Sequence, residues 1–140
     1  MEEEFELETI EEINIGSYQK VLDICNNPEP VSTNEAKFSA QLCAALAVVK
    51  GRALRTQDFL KNNLKDPIVK NLMTKVVLNV DQKCQKAFPD ARSAKVKVRL
   101  RNGVELEGFA PTRKGDPDHP MSDTELSEKY MDLVQIILNE

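Results

Sequence analysis

The chain has 140 residues, of which 41% are hydrophobic and 30% charged, and its formal net charge is −4. This length suits one folded core, so we predict a single domain over 1–140, and the composition is typical of a globular protein. The negative charge, five Phe, two Tyr and no Trp disfavour nucleic acid as a partner, because phosphate backbones attract basic surfaces and single strands stack on aromatic rings.

The cysteines and the apolar runs indicate where in the cell the protein is located. Cys25, Cys43 and Cys84 are far apart and odd in number, and they form no C-x-x-C pair, which favours reduced thiols over a disulfide framework. The longest apolar run, 42–49, is too short to span a bilayer, and the acidic N-terminus differs from a signal peptide. We therefore expect a cytoplasmic protein that is neither secreted nor inserted in a membrane.

The first half of the chain predicts a strand and then a long helix. Alternating apolar residues predict a strand over 12–18, and two prolines place a loop over 26–30. Ser32 and Glu35 have the spacing of a capping box, which predicts a helix over 33–50 with a glycine just after it. Its apolar stripe contains Phe38, Leu42, Leu46 and Val49.

Three further elements are predicted in the middle of the chain. Helices are expected over 56–63 and 67–74, and Asp66 precedes the second as its N-cap. The β-branched content of 76–80 predicts a strand. The connection over 81–93 is left without an assignment.

Two alternating segments, 96–100 and 104–108, predict a β-hairpin around an Asn-Gly pair. A two-residue turn would place apolar side chains opposite acids, whereas a three-residue loop over 101–103 pairs apolar with apolar. We predict the latter, which also sets bases opposite acids, namely Arg99 opposite Glu105 and Lys97 opposite Glu107.

The last predicted element is a helix that runs to about Leu138. A capping box of Ser122 and Glu125 begins it, and its apolar stripe contains Leu126, Tyr130, Leu133, Val134 and Ile137. The elements together predict an α+β fold in which helices pack on a small, mostly antiparallel sheet. The helix over 33–50 is expected to cover the apolar face of the sheet.

The sequence contains no phosphate loop, dinucleotide fingerprint, nucleophile elbow or metal-ligand cluster, so we predict no catalytic residue, metal or cofactor. His119, the one histidine, lies in a proline-rich loop, which is typical of a solvated side chain. The basic run over 95–101 indicates a solvated face, because acids lie opposite it.

Lys37, Ser39 and Gln41 are the candidate site residues. They lie early in an otherwise apolar helix, where a carboxylate ligand would meet a cation and the positive end of the helix dipole. A plain exposed helical turn is the competing interpretation, because early helical turns are commonly polar.

Three stretches occur in this order: 35–41 (EAKFSAQ), 96–103 (VKVRLRNG) and 115–122 (GDPDHPMS), the last followed by Glu125-Leu126 and Lys129-Tyr130. Together they resemble the C-terminal half of MmgE/PrpD proteins, a family that includes 2-methylcitrate dehydratase and cis-aconitate decarboxylase. The resemblance covers nearly all of the chain.

The resemblance implies a lid that closes over an all-helical domain, with the active site between them and a small polycarboxylate or related substrate inside. Most acid and base residues of the family precede the segment that begins this chain, and no residue here matches those motifs. Leu42 stands where related decarboxylases carry a tyrosine that faces the site. The resemblance therefore implies that the chain is not catalytic alone and that its partner is a separate helical MmgE/PrpD chain or a second copy of itself.

Two functions compete on this basis. The first is a lid-type domain or subunit of a 2-methylcitrate-dehydratase-like protein, and the second is a non-catalytic binding or structural module that retains the lid fold. A third possibility is an excised domain or a decayed gene product. The sequence leaves the three open, together with the substrate and the oligomeric state.

Overall fold

The computed structural model describes residues 6–138, which form a four-stranded sheet with helices packed against it. The strands are β1 (Ile10–Ser17), β2 (Val76–Val80), β3 (Ala94–Leu100) and β4 (Glu105–Ala110). The helices are α1 (Gln19–Cys25), α2 (Thr33–Lys37), α3 (Ala40–Lys50), α4 (Lys61–Leu64), α5 (Pro67–Met73), α6 (Gln82–Ala87) and α7 (Asp123–Leu138). Single 3-10 turns occur at Leu7–Thr9 and Thr56–Phe59. The predicted α+β class is confirmed.

The order of strands in the sheet is β2-β1-β3-β4. β1 pairs with β2 in parallel, while β1 with β3 and β3 with β4 are antiparallel, so the sheet is mostly antiparallel with one parallel pair. A parallel pair requires a crossover connection. The segment between β1 and β2 supplies it and contains α1 to α5.

β1 begins two residues earlier than its predicted start. A register shift between Ile10 and Glu12 interrupts the pairing of β1 with β3. The irregularity lets Ile10 and Ile13 both be buried although they are three residues apart, which strict alternation would not allow. The strand prediction missed this start because it followed the alternation alone.

The hairpin of β3 and β4 has the predicted register. Arg99 lies opposite Glu105, and Gly103 has φ of 85°, a conformation that glycine adopts without steric cost. The Leu100 N–H donates to Val104 O (2.9 Å), and the Gly103 N–H donates to Leu100 O (2.9 Å), which closes the three-residue loop. Matching of the apolar faces therefore decided the register.

The prediction of one helix over 33–50 is wrong, because α2 ends at Lys37 and α3 begins at Ala40. Ser39 is a second N-cap: its hydroxyl accepts a hydrogen bond from the Leu42 N–H (3.1 Å) and donates to Asn27 O (2.6 Å). These bonds hold Ser39 in an extended conformation and end α2. Phe38, assigned to the buried stripe, is 57% exposed at the break.

The two caps predicted for this region are present. Ser32 Oγ accepts from the Glu35 N–H (3.2 Å), but the Glu35 carboxylate accepts from the Val31 N–H (3.0 Å), one residue before the N-cap. Gly51 ends α3 at φ of 61°, in the left-handed conformation expected of a C-cap glycine.

The prediction of one helix over 56–63 is also wrong. A 3-10 turn at Thr56–Phe59 is followed by an extended Leu60 and then by α4. The cause is Asp58, a buried carboxylate that accepts from the Arg55 N–H (2.7 Å) and from the Arg52 guanidinium (2.8 and 2.9 Å). The pKa of Asp58 is lowered from its ordinary value, and the largest cause is the hydrogen bond from Arg52.

The remaining elements agree with the sequence. Asp66 caps α5 through the Ile68 N–H (2.8 Å), and β2 has its predicted bounds. The unassigned 81–93 contains α6, which Asp81 caps by accepting from the Lys83 and Cys84 N–H groups. The Phe88–Pro89 peptide is cis.

α7 has the predicted start and end. The Ser122 N–H donates to Glu125 Oε2 (2.7 Å) and the Glu125 N–H donates to Ser122 Oγ (3.2 Å), which completes a capping box. The first of these bonds, with Lys114 beside the carboxylate, lowers the pKa of Glu125 to about 2. None of the described residues of α7 is buried.

The core lies between the apolar face of the sheet and the helices of the crossover. Its members include Ile10, Ile13 and Val76 from strands, Leu42 and Leu46 from α3, and Val69 and Leu72 from α5. α3 contacts both α5 and β2, so it covers the sheet as predicted. Ile13 is 1% exposed and lies between Val76 on β2 and Val98 on β3.

Replacing Ile13 by alanine should lower the free energy of unfolding by about 2–5 kcal/mol, because a buried aliphatic side chain leaves a cavity at the centre of the sheet. Ile13→Val removes a single methyl group and should cost about 0.5–1.5 kcal/mol. Urea titrations followed by circular dichroism measure both. Equal losses for the two variants would show that the region around Ile13 collapses to fill the space.

Candidate functional site

The three candidate site residues lie at the junction of α2 and α3, but their side chains point to different surroundings. Lys37 is exposed, Ser39 is fully buried, and Gln41 is 5% exposed. The Ser39 hydroxyl is bound to Asn27 and to the start of α3, as described above. Their role as lining residues stays a prediction.

Gln41 has an unusual hydrogen-bonding environment. Its side-chain amide N–H donates to Asn26 Oδ1 (2.7 Å), which ties α3 to the end of α1. Its Oε1 atom is buried and has no partner among the described residues. Buried polar atoms are almost always hydrogen-bonded, so the Gln41 Oε1 atom is an acceptor that a donor reaching this position would satisfy.

Two thiols lie near this junction, and both are poor nucleophiles. Burial raises the pKa of Cys43 to about 11, with a smaller contribution from the charge of Cys25. Burial also raises the pKa of Cys25. A nucleophilic cysteine requires a lowered pKa, since the thiolate is the reactive form. The side chains of this junction could therefore bind a ligand through hydrogen bonds or charge, and neither of these two thiols is suited to attack it.

The loop that contains His119 is held by its backbone. The His119 N–H donates to Asp116 O (2.8 Å), and the His119 carbonyl accepts from the Gly115 N–H (2.7 Å). The His119 side chain is exposed, as expected for a solvated histidine. Over residues 6–138, no group of three or more His, Cys, Asp or Glu side chains has the arrangement of a metal site.

The basic run of β3 is neutralised by acids, as predicted. Lys97 Nζ lies 3.2 Å from Glu105 and 2.9 Å from Glu107, and these hydrogen bonds raise the pKa of Lys97. Arg99 does not bond to Glu105 but turns to β1, where its Nε donates to Glu11 (3.0 Å). The run is therefore a solvated, ion-paired face.

The structure contains a cavity that sequence reasoning missed. Its volume is about 710 Å³, and its walls include Lys61, Lys65, Lys70 and the loop over 28–31, with Leu42 at its base. The one signal in the sequence is the presence of three lysines within ten residues. That signal says nothing about the loop and Leu42, which are distant in the chain and meet the lysines only in the folded structure.

α7 is a second candidate surface. Its apolar side chains are exposed to solvent, by 51% at Leu126, 65% at Tyr130, 46% at Leu133 and 73% at Ile137. These residues follow each other at intervals of four, three and four, so they form one stripe. The predicted apolar stripe is therefore largely uncovered in this structure, and Val134, its fifth member, is partly buried.

The family model described as MmgE/PrpD C-terminal domain matches residues 1–140. No curated protein matches the chain. Among the helices in the described part of the chain, none combines the length and the apolar character needed to cross a membrane.

At pH 8, iodoacetamide should label Cys25 well before Cys43 in the folded chain, because a thiol with a pKa of about 11 is about 0.1% thiolate at that pH. Labelling of Cys43 should become about tenfold faster for each pH unit up to 10, since the thiolate fraction rises in that proportion. Mass spectrometry of the labelled peptides measures both rates. In Cys25→Ser, the slow labelling of Cys43 should be the labelling that remains at this junction. Rapid labelling of Cys43 at pH 7 would contradict its assignment as an inert thiol.

Proposed function

The chain belongs to the MmgE/PrpD C-terminal domain family, and we propose that it works as the lid-type domain or subunit of a 2-methylcitrate-dehydratase-like protein that acts on a small polycarboxylate. A helical MmgE/PrpD domain supplies the acid and base groups, and this chain closes the cleft in which the substrate lies. The chain alone does not catalyse the reaction.

The uncovered stripe of α7 carries this proposal. A helix with four large apolar residues on one face gains free energy when another apolar surface covers that face. In the described part of the chain, the polar contacts between α7 and other segments include the Thr56 N–H, which donates to Asp132 (3.2 Å), and Lys114, which pairs with Glu125 (3.1 Å). Neither contact covers the stripe, which is left available to a partner.

The chemistry of the described side chains supports dependence on a partner. Removing a proton beside a carboxylate and expelling a leaving group require a positioned acid and a positioned base. The chain has one histidine, and it is exposed in a loop. Lys37 is the cation among the three predicted lining residues, and it is exposed, so its expected contribution is to hold a substrate carboxylate.

A non-catalytic binding or structural module is the second candidate function. It is favoured by Leu42, which is fully buried at the position where related decarboxylases carry a tyrosine that faces the site. It is also favoured by Ser39, whose hydroxyl is already bound within the fold. The two functions differ in whether addition of a helical MmgE/PrpD domain produces turnover.

The proposal also includes a reducing compartment, which we take to be the cytoplasm. Cys25, Cys43 and Cys84 are free thiols in the structure, and free thiols persist where glutathione or thioredoxin keeps them reduced.

Leu133→Glu should weaken association with a helical MmgE/PrpD domain by at least about tenfold, because it places a charge at the centre of the apolar stripe. Gln135→Glu adds the same charge on the opposite side of α7 and serves as the control. Analytical ultracentrifugation of mixtures and of each chain alone measures the effect. A dimer of the chain alone that Leu133→Glu disrupts would assign the stripe to a second copy instead.

The purified chain alone should give no turnover of 2-methylcitrate or cis-aconitate, because a single general acid or base contributes about 10²–10⁴-fold in rate and several are missing. Adding a helical MmgE/PrpD domain should produce turnover. Steady-state assays measure both, with His119→Ala as the control. Turnover by the chain alone that is lost in His119→Ala would mean that the chain is itself an enzyme.

A further inference from the structure

The cavity between α4, α5 and the loop over 28–31 has the dimensions of a ligand site. Its volume of about 710 Å³ lies within the range of roughly 300–1,000 Å³ that is common for small-molecule pockets. Pro28, Glu29, Pro30 and Val31 line it from the loop, together with residues of the two helices. The cavity is separate from the α7 stripe, because no residue of α7 lines it.

The helical side of the cavity is positively charged. Lys61 and Lys65 belong to α4 and its C-cap, and Lys70 belongs to α5. In the region that the structure covers, the ion pairs include none of these three lysines. Glu29 is the one acid of the lining, so the cavity has an excess of positive charge although the whole chain has a net charge of −4.

The base of the cavity is apolar. Leu42 is fully buried below it, Met73 is 8% exposed, and Leu64 is partly buried beside them. Cations and apolar side chains in one lining suit a ligand of two parts, in which a charged group binds lysine and a carbon chain contacts Leu64 and Met73 above the buried Leu42.

We propose that this cavity binds an organic anion with an aliphatic chain, of the class of medium-chain carboxylates. The carboxylate lies among Lys61, Lys65 and Lys70, and the chain extends over Met73 and Leu64. This goes beyond the lid function proposed above, because a compact polycarboxylate would satisfy the lysines and leave the apolar base uncovered. The attraction between the lysines and an anion provides selection for charge, and the base provides selection for chain length.

Titration of the full chain with octanoate tests the proposal, with calorimetry for the dissociation constant and NMR amide shifts for the location. Saturable binding is expected, with shifts at Leu42 and over 61–74. Hexanoate should bind more weakly than octanoate by up to about fourfold per buried methylene. Octanamide has the chain without the charge, and citrate has the charge without the chain, so both should bind more weakly than octanoate.

Charge variants identify the cavity. The double variant Lys65→Gln/Lys70→Gln should weaken octanoate binding by about 2- to 30-fold, given the usual strength of two exposed ion pairs. Glu29→Gln removes the opposing charge and should strengthen binding. Lys86→Gln removes an exposed lysine of α6, outside the cavity, and should leave the dissociation constant unchanged.

Three results would overturn the proposal. One is equal affinity for octanoate and octanamide, which would remove the role of the lysines. Another is equal affinity for octanoate and citrate, which would remove the role of the apolar base. The third is binding that Leu133→Gln abolishes while the lysine double variant and Glu29→Gln leave it unchanged, since that would place the ligand on α7. All the replaced lysines are exposed, and circular dichroism of each variant verifies its fold.

Discussion

The position of β1 between a parallel and an antiparallel neighbour is the constraint on which the rest of the structure depends. Ile13 contacts both neighbours from the centre of the sheet, and its burial requires cover from α3. A parallel partner for β1 requires the chain to leave the sheet and return in the same direction. The connection that does so contains α1 to α5, and therefore also the α2–α3 junction and the lysine-lined cavity.

Elements whose cause is local were predictable from the sequence. The hairpin register followed from alternation and from the need to match apolar faces, and the capping box at Ser122 followed from residue spacing. Elements that depend on which polar side chain turns into the core were not. The α2–α3 break requires the bond from Ser39 to Asn27, and the 3-10 turn at 56–59 requires the inward-facing Asp58. Both errors joined short helices into longer ones.

The same limit on prediction from sequence applies to the candidate site. Residue type and family resemblance could select Lys37, Ser39 and Gln41, but could not say that two of the three side chains are buried and bound to the loop after α1. The cavity lysines have no motif, and their proximity to Leu42 depends on how α4 and α5 pack against α3. The exposure of α7 depends on which other surfaces surround it, a property that its periodicity does not encode.

The exposure of the apolar stripe on α7 has a consequence for the rate of the docking proposed above. Because its apolar stripe lies outside the core, a binding partner does not have to break native packing or unfold any segment before it makes contact. The capping box supports the helix at its start before any encounter, so less conformational entropy would be lost on the docking proposed above. For the docking proposed above, association is expected to be limited by diffusion and orientation, with rate constants of roughly 10⁵–10⁷ M⁻¹s⁻¹, so changes in affinity among variants of α7 should arise mainly from the lifetime of the complex.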